Sequence, residues 1–155
     1  MTDKAKVTKN LALDAKLKAV QAKDIMSKSV LTTTPFARLS EVATQMIQHR
    51  ISGMPVIAKD GSVSGVVTAS DLFIILAMIL DGNTDKFGSS PENPCVDVAM
   101  TTDAITVVEE TGLDEIVHLM RNESAHTIPV MKQGKLVGVI GRHDVLRKFY
   151  EVTKN

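Results

Sequence analysis

Residues 65–72 read GVVTASDL and residues 138–145 read GVIGRHDV. Each stretch opens with a glycine followed by two β-branched residues, and each sets an aspartate six positions after the glycine. Both then run into an apolar, helix-like segment. The polar residues between differ, with Thr68 and Ser70 in the first stretch answered by Gly141 and His143 in the second. A chain that writes one strand-to-helix turn twice while changing its polar residues invites a search for a longer repeat.

That repeat exists. Displacing residues 22–59 by 74 positions lays Met26 on Met100, Thr32 on Thr106, Leu39 on Leu113, Glu41 on Glu115, Met46 on Met120 and Pro55-Val56 on Pro129-Val130. Dropping Asp60 makes the displacement 73, and Gly61, Gly65, Val66 and Asp71 then fall on Gly134, Gly138, Val139 and Asp144. One single-residue gap in so long a register marks an internal duplication.

Each copy has one coarse anatomy. A short extended stretch, 30–33 and then 104–108, leads into an amphipathic helix. Leu39, Val42, Ala43, Met46 and Ile47 in the first copy, and Leu113, Ile116, Val117 and Met120 in the second, follow helical spacing. Thr34-Pro35 suits an N-cap and first helical position. A hairpin follows, turning at Lys59-Asp60-Gly61 and at Lys132-Gln133-Gly134, where glycine supplies the positive φ such turns need. A second helix closes each copy, over about 70–80 and 143–152. The reading is a 1–21 extension, helical or disordered, a first repeat at 22–80, a linker at 81–95 rich in Gly, Ser, Asn and Pro, and a second repeat at 96–152.

Composition narrows the function. The 155 residues suit one domain or two very small ones. With no Trp and 3% aromatics, the core is left to Val, Ile, Leu, Ala and Met. Lys plus Arg equals Asp plus Glu at 18 each, which speaks against a nucleic-acid binder with its basic footprint. The single cysteine, Cys95, forms no internal disulfide and points to a reducing compartment. No secretory signal is visible. The longest apolar run, Leu72 to Leu80, spans about 13 Å as a helix against a bilayer core of about 30 Å. A cytoplasmic protein without membrane insertion is the expectation. The four histidines form no close ligand pair with one another or with Cys95, so neither a metal site nor a catalytic thiol is expected.

The order DIM…V…TTTP, HRISGMPV and GVVTASDL, repeated as VAM…I…V, SAHTIPV and GVIGRHDV, resembles a tandem cystathionine-β-synthase (CBS) domain pair, or Bateman module, over about residues 22–149. The resemblance implies an α/β (α+β) fold of two βαββα repeats packed through their sheets in pseudo-two-fold symmetry. It implies a non-catalytic regulatory role, in which an adenosine-containing ligand (AMP, ADP, ATP or S-adenosylmethionine) occupies clefts between the repeats and is reported to a partner protein. Such modules often form homodimers, and the apolar surplus of Leu72 to Leu80 suits a dimer face. With the repeats filling most of the chain, output passes to another protein or through the N-terminal segment. A dimeric scaffold with vestigial clefts is the alternative.

The chemistry of the turn agrees. An ionised aspartate accepts from both ribose hydroxyls, a Ser or Thr hydroxyl reaches phosphate, and free amides at a helix N-terminus favour the same anion. Carried over from the family, the first site combines Thr68, Ala69, Ser70 and Asp71 with Ala104, Ala125 and His126. The second combines Val30, Ile51 and Ser52 with Arg142, His143 and Asp144. Gly141 departs from the pattern by removing a hydroxyl. The expectation is one good site and one altered site. The same residues also serve ordinary helix capping, so TASD has a purely structural reading as well.

Overall fold

The computed structural model describes residues 3–123 and 125–154, the side chains of 6–10 excepted. Helix α1 (Asp3–Ala19) and the short α2 (Ala22–Ile25) precede α3 (Leu39–His49), strands β1 (Gly53–Ile57) and β2 (Val63–Thr68), and α4 (Ala69–Leu80). A 3-10 turn at Val96–Val98 leads to β3 (Thr101–Thr102) and β4 (Val107–Val108). Then come α5 (Leu113–Asn122), β5 (Thr127–Lys132), β6 (Lys135–Gly141) and α6 (Arg142–Lys154). The N-terminal extension is thus helical over most of its length.

Two compact units result. One comprises Met1–Lys28, Ile105–Gln133 and Val137–Asn155, the other Ser29–Ala104 with Gly134–Leu136. Their boundaries do not follow the sequence repeats. Residues 22–28, the start of the first repeat, belong with the body of the second, and the stretch up to Ala104 belongs with the body of the first.

Matching hydrogen bonds make both additions. Ala22 N–H donates to Thr111 O at 2.8 Å and Lys23 N–H to Glu109 O at 3.0 Å. In the other unit Val96 N–H donates to Ala37 O at 2.9 Å and Asp97 N–H to Pro35 O at 3.0 Å. Ala22 and Val96 are fully buried at these junctions. Each added segment then runs along a hairpin. Thr101 and Thr102 pair antiparallel with Val66 and Gly65, and Ser27 bridges to Val139.

The repeated Gly65 and Gly138 sit where these segments cross. A Cβ at Gly65 would collide with the Thr101 carbonyl, and one at Gly138 with the Met26 side chain. Both sheets gain a parallel partner on the opposite edge. β4 pairs with β5, and Thr33 alone bridges to Val56. The extended stretches at 30–33 and 104–108 therefore pair only at their C-terminal ends.

The hairpin β1–β2 is antiparallel, with a bulge between Val56 and Ile57. Gly61 and Gly134 take φ of 85° and 75° at the two turns. Beside Gly61, the Ser62 hydroxyl and amide donate to Asp60 Oδ1 and hold its carboxyl below the usual carboxylate range. Met54, Val56 and Val67 join Leu39, Val42, Met46 and Ile75 in one core, while Ile128, Val130 and Ile140 join Leu113, Ile116 and Val145 in the other.

Two local expectations fail, for physical reasons. Thr34 does not cap α3 and Pro35 does not open it. Residues 34–37 form a turn, and Arg38 in extended conformation is the N-cap. The Pro35 and Ala37 carbonyls are claimed by the incoming amides of 96–97, so the helix starts later. Ile47 is 78% exposed, because eight residues along a helix rotate it about 80° from Leu39 and off the core stripe.

The 81–95 segment is a loop, but a fastened one. Phe87 and Pro94 are buried. Asn93 closes the first turn of α3 from outside the repeat: its Oδ1 accepts from Ser40 N–H at 3.0 Å and its Nδ2 donates to the Ser40 hydroxyl at 2.9 Å. Its carbonyl accepts from Arg38 Nη1 at 3.2 Å, and Pro94 O accepts from Leu39 N–H at 3.0 Å. These bonds supply orphan amides that Arg38 cannot satisfy with its own side chain.

Two outcomes follow for urea unfolding. Asn93→Ala is expected to destabilise by about 1–2 kcal/mol, the range for a lost cap, although it lies in a loop. Gly65→Ala is expected to cost about 1–3 kcal/mol and more than Gly138→Ala, because a backbone carbonyl yields less readily than a methionine side chain. Equal losses at the two glycines would refute the close-approach explanation.

Candidate functional site

Both candidate turns lie where a hairpin strand passes into a helix. At the first, Thr68 is the N-cap of α4 with φ −122° and ψ 165°. Its Oγ1 accepts from Asp71 N–H at 3.3 Å and donates to Asp71 Oδ2 at 3.0 Å. Asp71 Oδ2 also accepts from Thr68 N–H at 2.8 Å. This reciprocal pair is a capping box with aspartate in the third position. The structural reading of TASD is therefore fulfilled.

The box decides what remains for a ligand. The Thr68 hydroxyl proton is directed at Asp71, so Thr68 is not presented as a free donor. Ala69 N–H donates to Ser52 O at 2.8 Å and Asp71 N–H to Thr68, so two of the first three helix amides are already engaged. Asp71 Oδ1 makes no hydrogen bond among the described residues, and the exposed Ser70 hydroxyl makes none either. Those two groups, with the Ser70 amide, are the available polar atoms of the turn.

The second turn keeps half of this arrangement. Asp144 Oδ2 accepts from Gly141 N–H at 2.8 Å, matching Asp71 and Thr68. The hydroxyl half is missing. The other carboxylate oxygen, Oδ1, faces Arg147 Nη1 at 3.3 Å, where the first repeat has Ile74. That ion pair is exposed and adds little stability, but it places a cation on the oxygen that stays open in Asp71. Gly141 is not sterically required: a Cβ there would meet only Asp144 Oδ2 at an ordinary 3.6 Å. Arg142 and His143 are exposed at the start of α6.

The remaining expected site residues divide between the units. Val30, Ile51, Ser52 and Ala104 belong to the same unit as Thr68, Ala69, Ser70 and Asp71, while Ala125 and His126 belong with Arg142, His143 and Asp144. Within the first group the structure joins Ser52 to Ala69 through the bond above. Ile51 follows Arg50, whose φ of 52° turns the chain out of α3, and Ile51 N–H donates to Met46 O at 3.1 Å. In the second group Ala125 packs against the core and His126 is half-buried just before β5. His49 and His118 are exposed on α3 and α5. Among the described residues no three His, Cys, Asp or Glu are grouped to hold a metal, and no helix is long and apolar enough to cross a membrane.

Sequence reasoning did not identify a groove between α3 and α4. This cavity of about 400 Å³ is lined by Leu39, Ala43, Leu72, Leu76 and Ile79, with Glu92 and Asn93 at its polar side. The available signal was the unbroken apolar run of α4.

The half-empty cap makes a direct test. Gly141→Thr restores the hydroxyl and restricts the unfolded chain, and is expected to raise stability by about 0.5–1 kcal/mol in urea unfolding. Thr68→Ala is expected to lower it by about 1 kcal/mol. A destabilising Gly141→Thr would show that the two turns are not equivalent.

The chain resembles known proteins in sequence and in fold. The chain is 30% identical over 124 residues to the Bacillus subtilis protein YlbB, covering 79% of this chain and 78% of that one. Its fold matches the crystal structure of CBSX2 in complex with AMP, with a TM-score of 0.71 over 86% of this chain and 98% of the other at 21% identity. It also matches the CBS domain pair of protein MJ0100 in complex with 5′-methylthioadenosine and S-adenosyl-L-methionine, with a TM-score of 0.73 over 85% and 97% at 24% identity. At those identities the likeness is one of fold. The CBS domain model matches twice in tandem, at residues 22–77 and 95–151, and the chain therefore belongs to the CBS domain family as a domain pair.

Proposed function

We propose that this chain is a non-catalytic regulatory module that binds an adenosine-containing ligand (AMP, ADP, ATP or S-adenosylmethionine) at the Thr68–Asp71 turn and passes the signal to a partner protein. The observation that carries the reading is the state of the two carboxylates. Asp71 spends one oxygen on the capping box and keeps Oδ1, where it can accept ribose hydroxyls in charge-assisted bonds. Asp144 has both oxygens engaged. Two fold neighbours bind ligands of this class: CBSX2 was crystallised with AMP, and the MJ0100 pair with 5′-methylthioadenosine and S-adenosyl-L-methionine.

The geometry refines the roles. Ser70, rather than Thr68, is the hydroxyl that reaches phosphate, because the Thr68 proton already serves Asp71. Ala69 and Ala104, in the same unit as Ser70 and Asp71, belong to the proposed first site. Arg142, His143 and Asp144 form a weaker second turn, lacking the hydroxyl at Gly141. Signalling is limited by thermodynamics: a ligand shifts the balance of two arrangements only by its preference between them.

Thermal melting at fixed protein concentration tests the proposal with AMP, ADP, ATP, NAD and S-adenosylmethionine in turn. A ligand at 100 times its dissociation constant adds about 2.7 kcal/mol, which raises the midpoint of a chain this size by about 5–10 °C. Asp71→Ala and Asp144→Ala should both lower the ligand-free midpoint, since both aspartates cap a helix. Only Asp71→Ala should abolish most of the ligand-induced rise. A full rise in Asp71→Ala would overturn the site, and no rise with any compound would favour a scaffold with vestigial clefts.

A further inference from the structure

Among the described residues Thr127, at the start of β5, is the one buried polar residue, only 9% exposed, and its hydroxyl makes no hydrogen bond. Buried polar groups seldom go without a partner. The oxygen is not sealed inside, because among the described residues no fully buried side-chain oxygen or nitrogen lacks a partner. Strand alternation turns Thr127 away from the core that Ile128 and Val130 face. The register of β1 and β2 carries over to this hairpin, since Met54 opposite Val67 in the first core becomes Ile128 and Ile140 in the second. Gly53 lies opposite Thr68, so Thr127 lies opposite Gly141. The two copies have exchanged glycine and threonine across the ladder. Opposite residues share one face of a sheet, with Cβ atoms about 4.5–5.5 Å apart. The Thr127 hydroxyl therefore stands beside the first turn of α6, on the face that Thr68 occupies in the first repeat.

That turn has amides to offer. In the first repeat Ala69 N–H donates to Ser52 O and Asp71 N–H to Thr68 Oγ1. The matching Arg142 N–H has no such acceptor among the described residues, and Gly141 brings no side-chain oxygen for Asp144 N–H. Charge differs as well. Helix α4 contains no Lys, Arg or His, whereas the 13-residue α6 carries Arg142, His143 and Arg147 near its start. Asp144 is the acidic group of the turn, and both its oxygens are engaged, Oδ2 by Gly141 N–H at 2.8 Å and Oδ1 by Arg147 Nη1 at 3.3 Å. The helix dipole adds its positive end. All these groups belong to one unit.

We propose that the start of α6 is a phosphate-binding site in its own right, in which Thr127 supplies across the ladder the hydroxyl that Gly141 lacks. The unpartnered hydroxyl and the Arg142 and His143 amides donate to the phosphate oxygens, and the Arg142 guanidinium answers their charge. The ligand is a phosphate group, free or carried on a sugar, and no adenine is required. The second turn is thus altered in what it binds, and its missing threonine is displaced by one strand instead of lost.

Amide nuclear magnetic resonance on the full chain tests this, with inorganic phosphate, ribose 5-phosphate, AMP and adenosine titrated at constant ionic strength. The three phosphates should shift the Arg142 and His143 amides saturably, and adenosine should not. Inorganic phosphate binding as tightly as AMP would support the site with free phosphate as its ligand, and tighter binding of a sugar phosphate would support it with that source. Thr127→Val keeps the shape of a strand residue and should weaken phosphate binding by about 10-fold or more, the size of a hydrogen bond to a charged group. Thr127→Ser keeps the hydroxyl and should retain binding. Arg142→Gln, at an exposed position that cannot disturb the fold, should weaken it by about 2- to 5-fold. No saturable shift at these amides, an equal response to adenosine and AMP, or unchanged affinity in Thr127→Val would overturn the proposal. Inorganic phosphate and ribose 5-phosphate carry no adenine, so the outcome is independent of the Thr68–Asp71 site.

Discussion

The structure rests on the exchange of short segments between repeats. The amides of Ala22 and Lys23 bind the carbonyls of Thr111 and Glu109, and those of Val96 and Asp97 bind the carbonyls of Ala37 and Pro35. Each repeat alone is near the lower limit of what can bury a sufficient core. The borrowed segment gives each sheet a further antiparallel neighbour and contributes a fully buried residue, Ala22 or Val96. Removing either segment would strip these hydrogen bonds from the hairpin backbone, where unmet hydrogen bonds are costly. The glycines at 65 and 138 follow from the same constraint, since the crossing chain leaves no room for a side chain.

That framework sets the chemistry at the two turns. A hairpin strand held on both edges delivers its last residue in extended conformation to the start of a helix, where amides need partners. An aspartate three residues into the helix satisfies the N-cap amide in both copies. Stability therefore accounts for both aspartates, and the proposed ligand site gives Asp71 alone a second role. The intervening residues set the difference between the turns: with Thr68 the box is closed and Asp71 keeps an oxygen, whereas with Gly141 the box is half made and Arg147 takes the oxygen that is left.

The two helix pairs diverged in the same manner. Their inward faces stayed apolar and alike, because each packs on its own sheet. Their outward faces differ: one lies under a covering helix and carries charged residues, while the other presents an unbroken apolar ridge. A duplicated fold can therefore hold one scaffold constant and vary what its surfaces do.

Much of this was legible in the residues alone. The duplication, the hairpins at Gly61 and Gly134, the helices near 70–80 and 143–152, and the departure at Gly141 all depend on neighbours a few positions apart, and short-range periodicity and turn chemistry determine them. The start of α3 was not legible. It is set by Asn93 and Pro94 and by amides at 96–97, more than fifty residues away, which override the local capping signal of Thr34-Pro35. Nor could the sequence say that the Thr68 hydroxyl faces inward to Asp71, or that α1 covers one helix pair and leaves the other open. Those outcomes depend on which distant backbone groups and apolar faces meet, and hydrogen bonding and packing settle that only once the chain has closed on itself.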